Sequence, residues 1–213
     1  MRMVLRVKVV TSLLCVSFLV AAPVGAAPVL FGDNAYEFIP GAFSFDQANT
    51  AAQGLAFNGV NGHLVTITSA AENAFVSSLI ATIEHSVWIG ATDRDVEGAW
   101  RWVTGEQFWQ GGSAGTPGPT VFYANWGLGQ PDDFGSGQDV ATIFGGSVAN
   151  PALVGFWDDG GSGTGAGGSI FQRDGYIVEF DAAAVPEPAT LFLLTGGLGA
   201  VGFRGLKRKR ASS

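Results

Sequence analysis

The sequence predicts an α+β fold in which two helices pack on small antiparallel sheets. Two capping-box patterns, with Ser at the N-cap and Gln or Glu three residues later, predict helices that begin after Ser44 and Ser69. Beyond residue 86, short runs rich in tryptophan and valine are separated by glycine, proline and aspartate, a pattern typical of strands joined by loops. On these grounds we predict strands at residues 87–89, 100–103, 141–144 and 175–180.

The first 26 residues are predicted to be a secretory signal peptide. Three basic residues among the first eight precede an apolar run at residues 9–22, and small residues lead to a cleavage point after Ala26. The only cysteine, Cys15, lies inside this segment, so the mature chain has no internal disulfide although export leads to an oxidising compartment. An uncleaved N-terminal anchor is the alternative interpretation.

Between the first helix and the strands, the pattern predicts a strand at residues 63–67 and then the second helix, whose apolar spacing continues to Ile83. The loop at residues 111–139 is long for a compact domain, and loops of that length are usually functional or disordered. A glycine-rich run at residues 160–168 lacks the Asp of calcium-binding repeats and the Lys of phosphate loops, so we expect a flexible loop there.

The acidic residues are concentrated in one part of the chain. Residues 27–184 contain 17 of the 18 acidic residues and only three arginines, which gives this region a net charge of −14. That charge argues against nucleic-acid binding. Divalent cations would offset the repulsion between so many carboxylates, and an acidic surface that keeps the protein soluble explains the charge equally well.

The C-terminal segment has three parts in a fixed order. Pro186, Glu187 and Pro188 precede an apolar stretch at residues 189–203, and basic residues follow. The stretch is short against the roughly 20 residues that span a bilayer, so transient membrane insertion fits it better than permanent anchoring. The order resembles the PEP-CTERM sorting signal of exported proteins in exopolysaccharide-producing Gram-negative bacteria.

That resemblance implies that residues 185–210 are a sorting signal, with a transmembrane helix at about 189–203 and a basic tail, and that an exosortase processes it. It implies an exported bacterial protein that ends in the cell envelope or outside the cell. A plain tail anchor is the alternative.

Three fragments inside the predicted domain form a second pattern, namely Trp88-Ile89-Gly90-Ala91-Thr92-Asp93, Gly129-Gln130-Pro131-Asp132-Asp133 and Phe156-Trp157-Asp158-Asp159. Their order and spacing resemble those of C-type lectins, and residues 62–65, 100–105 and 176–180 agree. The resemblance implies a C-type lectin-like domain at residues 27–184, with its core at about 35–181 and a long calcium-binding loop region. The family's cystines are absent, since Val140 and Val178 stand where half-cystines are expected.

The resemblance also implies a sugar-site calcium ion. The positions that match its ligands in the family are Gln130, Asp132, Gln138, Asp158 and Asp159. Three carboxylates and two amide carbonyls are hard oxygen donors, which suit Ca²⁺ rather than Zn²⁺. An auxiliary calcium ion is implied by a second set of matching positions, Asp93, Glu97, Asp133 and Asp139. In the family the X-Pro bond at Pro131 is cis.

Five residues are expected to contact the sugar, namely Gln130, Asp132, Phe134, Gln138 and Asp158. In the family a Gln-Pro-Asp tripeptide accompanies galactose-type diols, and Phe134 stands where galactose binders place an aromatic ring, although it could equally be a hydrophobic loop anchor. Gln138 and Asp158 depart from the family pattern. In both pairs, Gln130 with Asp132 and Gln138 with Asp158, amide and acid are exchanged relative to the mannose type. We therefore hypothesise recognition of a mannose- or fucose-like diol, in a reversed orientation.

Two other kinds of function are rejected on the residues present. An EF-hand beginning at Asp93 would need Glu where Thr104 stands. Catalysis is not expected, because the mature chain has no thiol and only two histidines, of which His63 is expected to be structural. We expect an exported calcium-dependent carbohydrate-binding protein at the cell surface or in the exopolysaccharide matrix. The alternative is a structural or adhesive matrix protein that contacts proteins or ice without binding sugar.

Overall fold

The computed structural model describes residues 27–119, 123–135, 137–161 and 173–182. The predicted signal peptide at residues 1–26 lies outside the described residues, as does the predicted sorting signal with Pro186, Glu187 and Pro188. Most of the predicted glycine-rich loop is outside as well. Within the described ranges, no helix is both long enough and apolar enough to cross a membrane.

The described chain contains two α-helices and twelve strands. In order they are β1 (Val29–Phe31), β2 (Asn34–Pro40), α1 (Phe45–Gly54), β3 (Ala56–Phe57), β4 (Val60–Asn61), β5 (His63–Leu64), α2 (Ala70–Leu79), β6 (Ser86–Thr92), β7 (Ala99–Trp102), β8 (Gln107–Gln110), β9 (Thr116–Pro117), β10 (Val140–Phe144), β11 (Trp157–Gly160) and β12 (Arg173–Phe180). The α+β class and all four strands predicted beyond residue 86 are confirmed.

The strands are joined into a larger sheet than the sequence suggested. Ten strands form one sheet whose main path runs β1-β2-β12-β6-β7-β8-β9, while β10 pairs with β6 and β11, and β5 pairs with β12. Pairing is antiparallel except between β6 and β12. Strands β3 and β4 form a separate hairpin. The last strand, β12, joins the sheet together because it pairs with β2, β5 and β6.

Helix α1 has the complete predicted cap. The Ser44 hydroxyl accepts a hydrogen bond from the Gln47 backbone N–H at 3.2 Å, and the Ser44 N–H donates to Gln47 Oε1 at 3.0 Å. These two bonds satisfy donors that the first helical turn leaves free. The helix buries Phe45, Ala48 and Ala52 against the sheet.

The second predicted capping box is only half formed. Ser69 caps the N–H of Glu72 at 3.2 Å as predicted, but the Glu72 side chain does not return to the N-cap. It points inward instead, where Oε1 accepts from the Tyr36 hydroxyl at 2.7 Å and Oε2 accepts from the Thr68 N–H at 2.8 Å. The Glu72 carboxylate therefore bonds to Tyr36, which is distant in sequence, and to Thr68, rather than to the N-cap residue Ser69. The helix itself ends at Leu79, before Ile83.

The strand predicted at residues 63–67 is shorter than expected. Only His63 and Leu64 are paired with β12, and the Val65 N–H makes one further backbone bond to Ile177. The Thr66 N–H then donates to the buried Glu179 carboxylate at 2.9 Å instead of to the backbone of β12. The predicted order of strand and then helix is confirmed.

Two apolar clusters form the core. One lies around Trp102, Phe108 and Trp157, and the other lies between α1 and β12. Val140 and Val178, which stand where the family has half-cystines, are both fully buried in the second cluster. Apolar packing is therefore present where the family uses covalent links.

Candidate functional site

Two segments that are far apart in sequence meet to form the site. Asp158 and Asp159 lie on β11, where they pair with Thr142 and Ala141 of β10. The loop that carries Gln130 lies against the start of β11, because the Gly127 N–H donates to the Trp157 carbonyl at 2.8 Å. The hydrophobic strand core thus holds two carboxylates inside the protein, and the loop covers them.

Asp159 holds the tripeptide loop through its backbone. Its side chain is fully buried, and Oδ2 accepts from the N–H groups of Asp132 at 2.9 Å and Asp133 at 2.7 Å. The peptide bond between Gln130 and Pro131 is cis, as the resemblance implied. These contacts place the Gln-Pro-Asp tripeptide directly beside the Asp158-Asp159 pair.

Burial changes the acidity of both β11 carboxyl groups. Burial, followed by the charges of Asp159 and Asp132, raises the pKa of Asp158 to about 7, and Arg173 acts in the opposite direction. Burial also raises the pKa of Asp159 to about 6, although the N–H groups it accepts from oppose the change. Both groups are therefore in an environment that disfavours an isolated negative charge.

The remaining predicted sugar-site residues lie on the same loop. The Phe134 N–H donates to Gln138 Oε1 at 2.6 Å and to Asp132 Oδ1 at 3.3 Å, so its backbone connects two predicted ligands. The Phe134 ring is 75% exposed, which leaves its face open to solvent. Asp133 adopts a positive φ of 45°, and its Oδ1 accepts from the N–H groups of Gly137 and Gln138.

Three of the four predicted auxiliary residues form an acidic cluster. Carboxylate oxygens of Asp93, Glu97 and Asp139 all lie within 4.8 Å of one another. Burial, then the charges of Glu97 and Asp139, raise the pKa of Asp93 to about 7. Asp133 is not part of this group. Loss of solvation is the largest cause that raises the pKa of Glu97, and the charge of Asp133 is the next. Asp133 therefore lies between the two predicted calcium sites.

Two buried oxygens support a fit to calcium. Among the residues that the structure describes, the buried side-chain oxygens without a hydrogen-bond partner are Asp93 Oδ1 and Gln130 Oε1. One belongs to the auxiliary set and the other to the sugar-site set. A buried acceptor without a donor is costly, and a hard cation would satisfy it. The donor sets, made of carboxylate and amide oxygens, fit that ion.

Two features of the site were missed from the sequence. Arg173 stacks on Trp88, with its guanidinium carbon 4.1 Å from the ring centroid, and its charge acts on Asp158. A cavity of about 240 Å³ adjoins the loop, with walls that include Trp100, Gly112 and Ser113. Only the rarity of arginine in this region of the sequence could have pointed to the contact between Arg173 and Trp88. The cavity depends on tertiary packing and has no signal in the sequence.

Comparison with known proteins agrees with this geometry. The family model of the lectin C-type domain matches residues 44–151, which is just over half of the chain. The model of the PEP-CTERM protein-sorting motif matches residues 184–209. The second match supports the predicted sorting signal.

Individual relatives share the domain but not the whole protein. Halomucin from Haloquadratum walsbyi is 33% identical over 112 residues, which cover 51% of this chain and 1% of halomucin. Asialoglycoprotein receptor 1 from Rattus norvegicus is 36% identical over 86 residues, which cover 38% of this chain and 25% of the receptor. The chain thus spans a quarter or less of the length of these two relatives.

A carbohydrate-recognition domain is among the solved structures that match. The cow carbohydrate-recognition domain of CD23, determined in the presence of a GlcNAc2Man3 oligosaccharide, is 27% identical with a TM-score of 0.53. The match covers 74% of this chain and 95% of that domain. The match to a lectin domain family supports the prediction that the protein is not an enzyme. The chain belongs to the C-type lectin domain family.

Proposed function

We propose that the protein is an exported calcium-dependent lectin that binds carbohydrate at the cell surface or in the exopolysaccharide matrix. The lectin fold and the sorting motif indicate an exported or cell-envelope protein. The further step to calcium and sugar depends on one observation: Gln130, Asp132, Asp158 and Asp159 meet in the fold although they come from two distant segments.

In this proposal Gln130, Asp132, Gln138, Asp158 and Asp159 hold the sugar-site calcium ion, and Asp93, Glu97, Asp133 and Asp139 hold the auxiliary ion. A bound calcium ion supplies free coordination positions that two neighbouring sugar hydroxyls can occupy. Gln130 has an acceptor oxygen without a partner, and its amide can donate to a hydroxyl. Asp158 accepts from the second hydroxyl once calcium keeps it ionised.

The sugar class is proposed from the orientation of the amides and acids. Gln138 Oε1 accepts from the Phe134 N–H and has a second lone pair for the ion, so its NH₂ group is the part that can donate to a hydroxyl. There are two such pairs, Gln130 with Asp132 and Gln138 with Asp158, and each offers one amide donor and one carboxylate acceptor to a sugar hydroxyl. This arrangement supports a mannose- or fucose-like diol as well as a galactose-like one. Phe134 is exposed enough to pack against the apolar face of either.

A second function is favoured by the bonds within the loop. Side-chain oxygens of Asp159 and Gln138 each accept from a backbone N–H group of the loop, so hydrogen bonds within the protein help to hold the loop in place. A structural or adhesive matrix protein would use such a loop to contact another surface, and calcium would only stiffen it.

Thermal unfolding of the purified protein distinguishes the two functions. The lectin function requires calcium to raise the Tm and one monosaccharide, among galactose, mannose and fucose, to raise it further. Asp158→Asn should lose the response to sugar and keep only part of the response to calcium, because the auxiliary set is intact, whereas Asp33→Asn makes the same charge change in the exposed β1–β2 turn and should keep both. A rise with calcium and none with any sugar supports the structural function. Elution from a sugar resin by galactose alone rejects the reversed orientation.

A further inference from the structure

A buried asparagine of helix α2 contacts the base of the proposed binding site. Asn73 is 7% exposed, and both ends of its side chain are used. Its Oδ1 accepts from the Trp157 indole N–H at 2.8 Å, and its Nδ2 donates to the Gly155 carbonyl at 3.0 Å. Because Trp157 directly precedes the Asp158-Asp159 pair, the helix is connected to the strand that carries those carboxylates.

The same contacts extend to the segment that leads to Gln130. The Gly155 carbonyl also accepts from Asn125 Nδ2 at 2.7 Å, and the Trp157 N–H donates to the Asn125 carbonyl at 2.8 Å. The Gly127 N–H then donates to the Trp157 carbonyl. Residues 125–127 and 155–157 are therefore joined to each other and, through Asn73, to α2. We call these three parts the loop brace.

The packing around the brace leaves little freedom. Gly155 has a φ of +75°, and a Cβ atom there would approach the Ser77 hydroxyl to 2.7 Å, so the chain lies directly on the helix. The Trp157 ring makes edge-to-face contacts with Trp102 and Trp126 at centroid distances of 5.5 and 5.8 Å. An indole has one N–H donor, and its bond to Asn73 selects one orientation of the ring.

We infer that Asn73 is a positioning residue, which sets the separation between the Gln130 loop and the Asp158-Asp159 strand and thereby the affinity for calcium and sugar. The inference rests on the proposed function for its effect on binding. The lone cysteine of the sequence lies at position 15, so no disulfide ties these segments. A buried amide with donor and acceptor both satisfied provides a fixed connection in its place.

The test compares Asn73→Ala with Val76→Ala in the full-length exported protein. Val76 is fully buried on the same helix, so its truncation destabilises the core without removing any hydrogen bond of the brace. Asn73→Ala should weaken calcium binding by about tenfold, the lower end of the range for residues that orient metal ligands. Val76→Ala should bind calcium with the wild-type Kd, measured for both variants well below their Tm.

A second pair of variants separates positioning from stability. Asn125→Ala removes the other side-chain donor to the Gly155 carbonyl and should weaken calcium binding in the same direction as Asn73→Ala. Trp157→Phe removes the indole N–H, and combining it with Asn73→Ala should weaken binding by less than the sum of the two single effects, since the two variants lose the same bond between Trp157 and Asn73. Wild-type Kd values for folded Asn73→Ala and Asn125→Ala would overturn the inference.

Hydrogen exchange tests the brace even if the protein binds no calcium. Asn73→Ala should speed amide exchange in residues 123–135 and 155–161, and Val76→Ala should speed it in α2 without this selective effect. If the wild type binds no calcium but Asn73→Ala still speeds amide exchange selectively in residues 123–135 and 155–161, the proposed function is rejected and the brace is retained. Equal exchange in the two variants would reject the brace itself.

Discussion

The buried carboxyl groups of this protein are placed where negative charge is disfavoured. Asp93, Asp158 and Asp159 each have a raised pKa, of about 7, 7 and 6, and burial is the largest cause in every case. A cation in the site would reverse that preference. Three of the residues proposed to hold calcium are therefore ones whose ionisation is disfavoured without it.

These raised pKa values predict opposite pH dependences with and without calcium. Near pH 4 to 7 the folded, ion-free protein binds more protons than the unfolded chain, whose aspartates have a pKa of 3.8, so its stability should fall as pH rises through this window. Calcium needs the ionised groups, so its stabilising effect should grow over the same window. Tm measured at several pH values, in chelator and in calcium, checks both trends.

Asp158→Asn provides the control for this prediction. The ion-free variant should lose less stability between pH 5 and pH 8 than the wild type, because one buried group no longer ionises. Parallel curves for the variant and the wild type would contradict the assignment of the effect to Asp158.

A second buried acidic cluster lies away from the proposed site. The Tyr36 hydroxyl contacts Glu72 Oε1 at 2.7 Å and Glu179 Oε1 at 3.1 Å, and burial raises the pKa of Glu179. The Tyr36 hydroxyl has one proton for two carboxyl groups, so a proton on Glu179 would supply the donor that is missing from these contacts.

Tyr36→Phe should destabilise the protein, by about 1–3 kcal/mol, because it leaves a buried acceptor without its donor. The loss should be larger at pH 8 than at a more acidic pH, because burial raises the pKa of Glu179 and a protonated carboxyl group can donate in place of the tyrosine. Urea unfolding at both pH values measures it. The same loss at both would show that no proton is shared.

At the scale of single elements, the two helix caps differ although their sequences look alike. Ser44 and Gln47 satisfy each other, whereas Glu72 leaves Ser69 and enters the buried cluster. The difference arises because β2 presents Tyr36 beneath the first turn of α2. A local pattern thus predicted where both helices begin, but not where the glutamate points.

Substitution of the four cap residues tests this difference. Ser44→Ala and Ser69→Ala should each cost about 1 kcal/mol of stability, the usual loss for a removed N-cap. Gln47→Ala should cost less than that, and Glu72→Ala should cost more than any of them because it leaves Tyr36 and Thr68 without their buried partner. Urea unfolding ranks the variants. Equal losses for Gln47→Ala and Glu72→Ala would restore the capping role to Glu72.

On the scale of the whole molecule, acidic and basic residues are concentrated in different parts of the chain. The match to the sorting motif at residues 184–209 supports processing of that segment after translocation. The lectin domain and the motif together indicate an exported or cell-envelope protein.

Replacing Pro186, Glu187 and Pro188 with alanine should leave a larger, unprocessed protein in the membrane of the native host. The three residues carry the sequence signal, while the apolar stretch and basic tail stay intact. Immunoblots of membrane and extracellular fractions measure the outcome. Replacing Ser212 and Ser213, which follow the basic tail, should change nothing. Normal processing of the alanine variant would reject the role of the Pro-Glu-Pro segment.

The family, the start of each helix, the principal strands and the positions of the candidate ligands could all be predicted from the sequence, because these depend on local patterns and on spacing along the chain. Tertiary structure alone decided the rest. It joined the strands through β12, turned Glu72 inward, left Gln130 Oε1 and Asp93 Oδ1 without donors, and connected Asn73 to Trp157. These features arise from contacts between residues far apart in sequence, and burial makes such contacts stronger than local preferences.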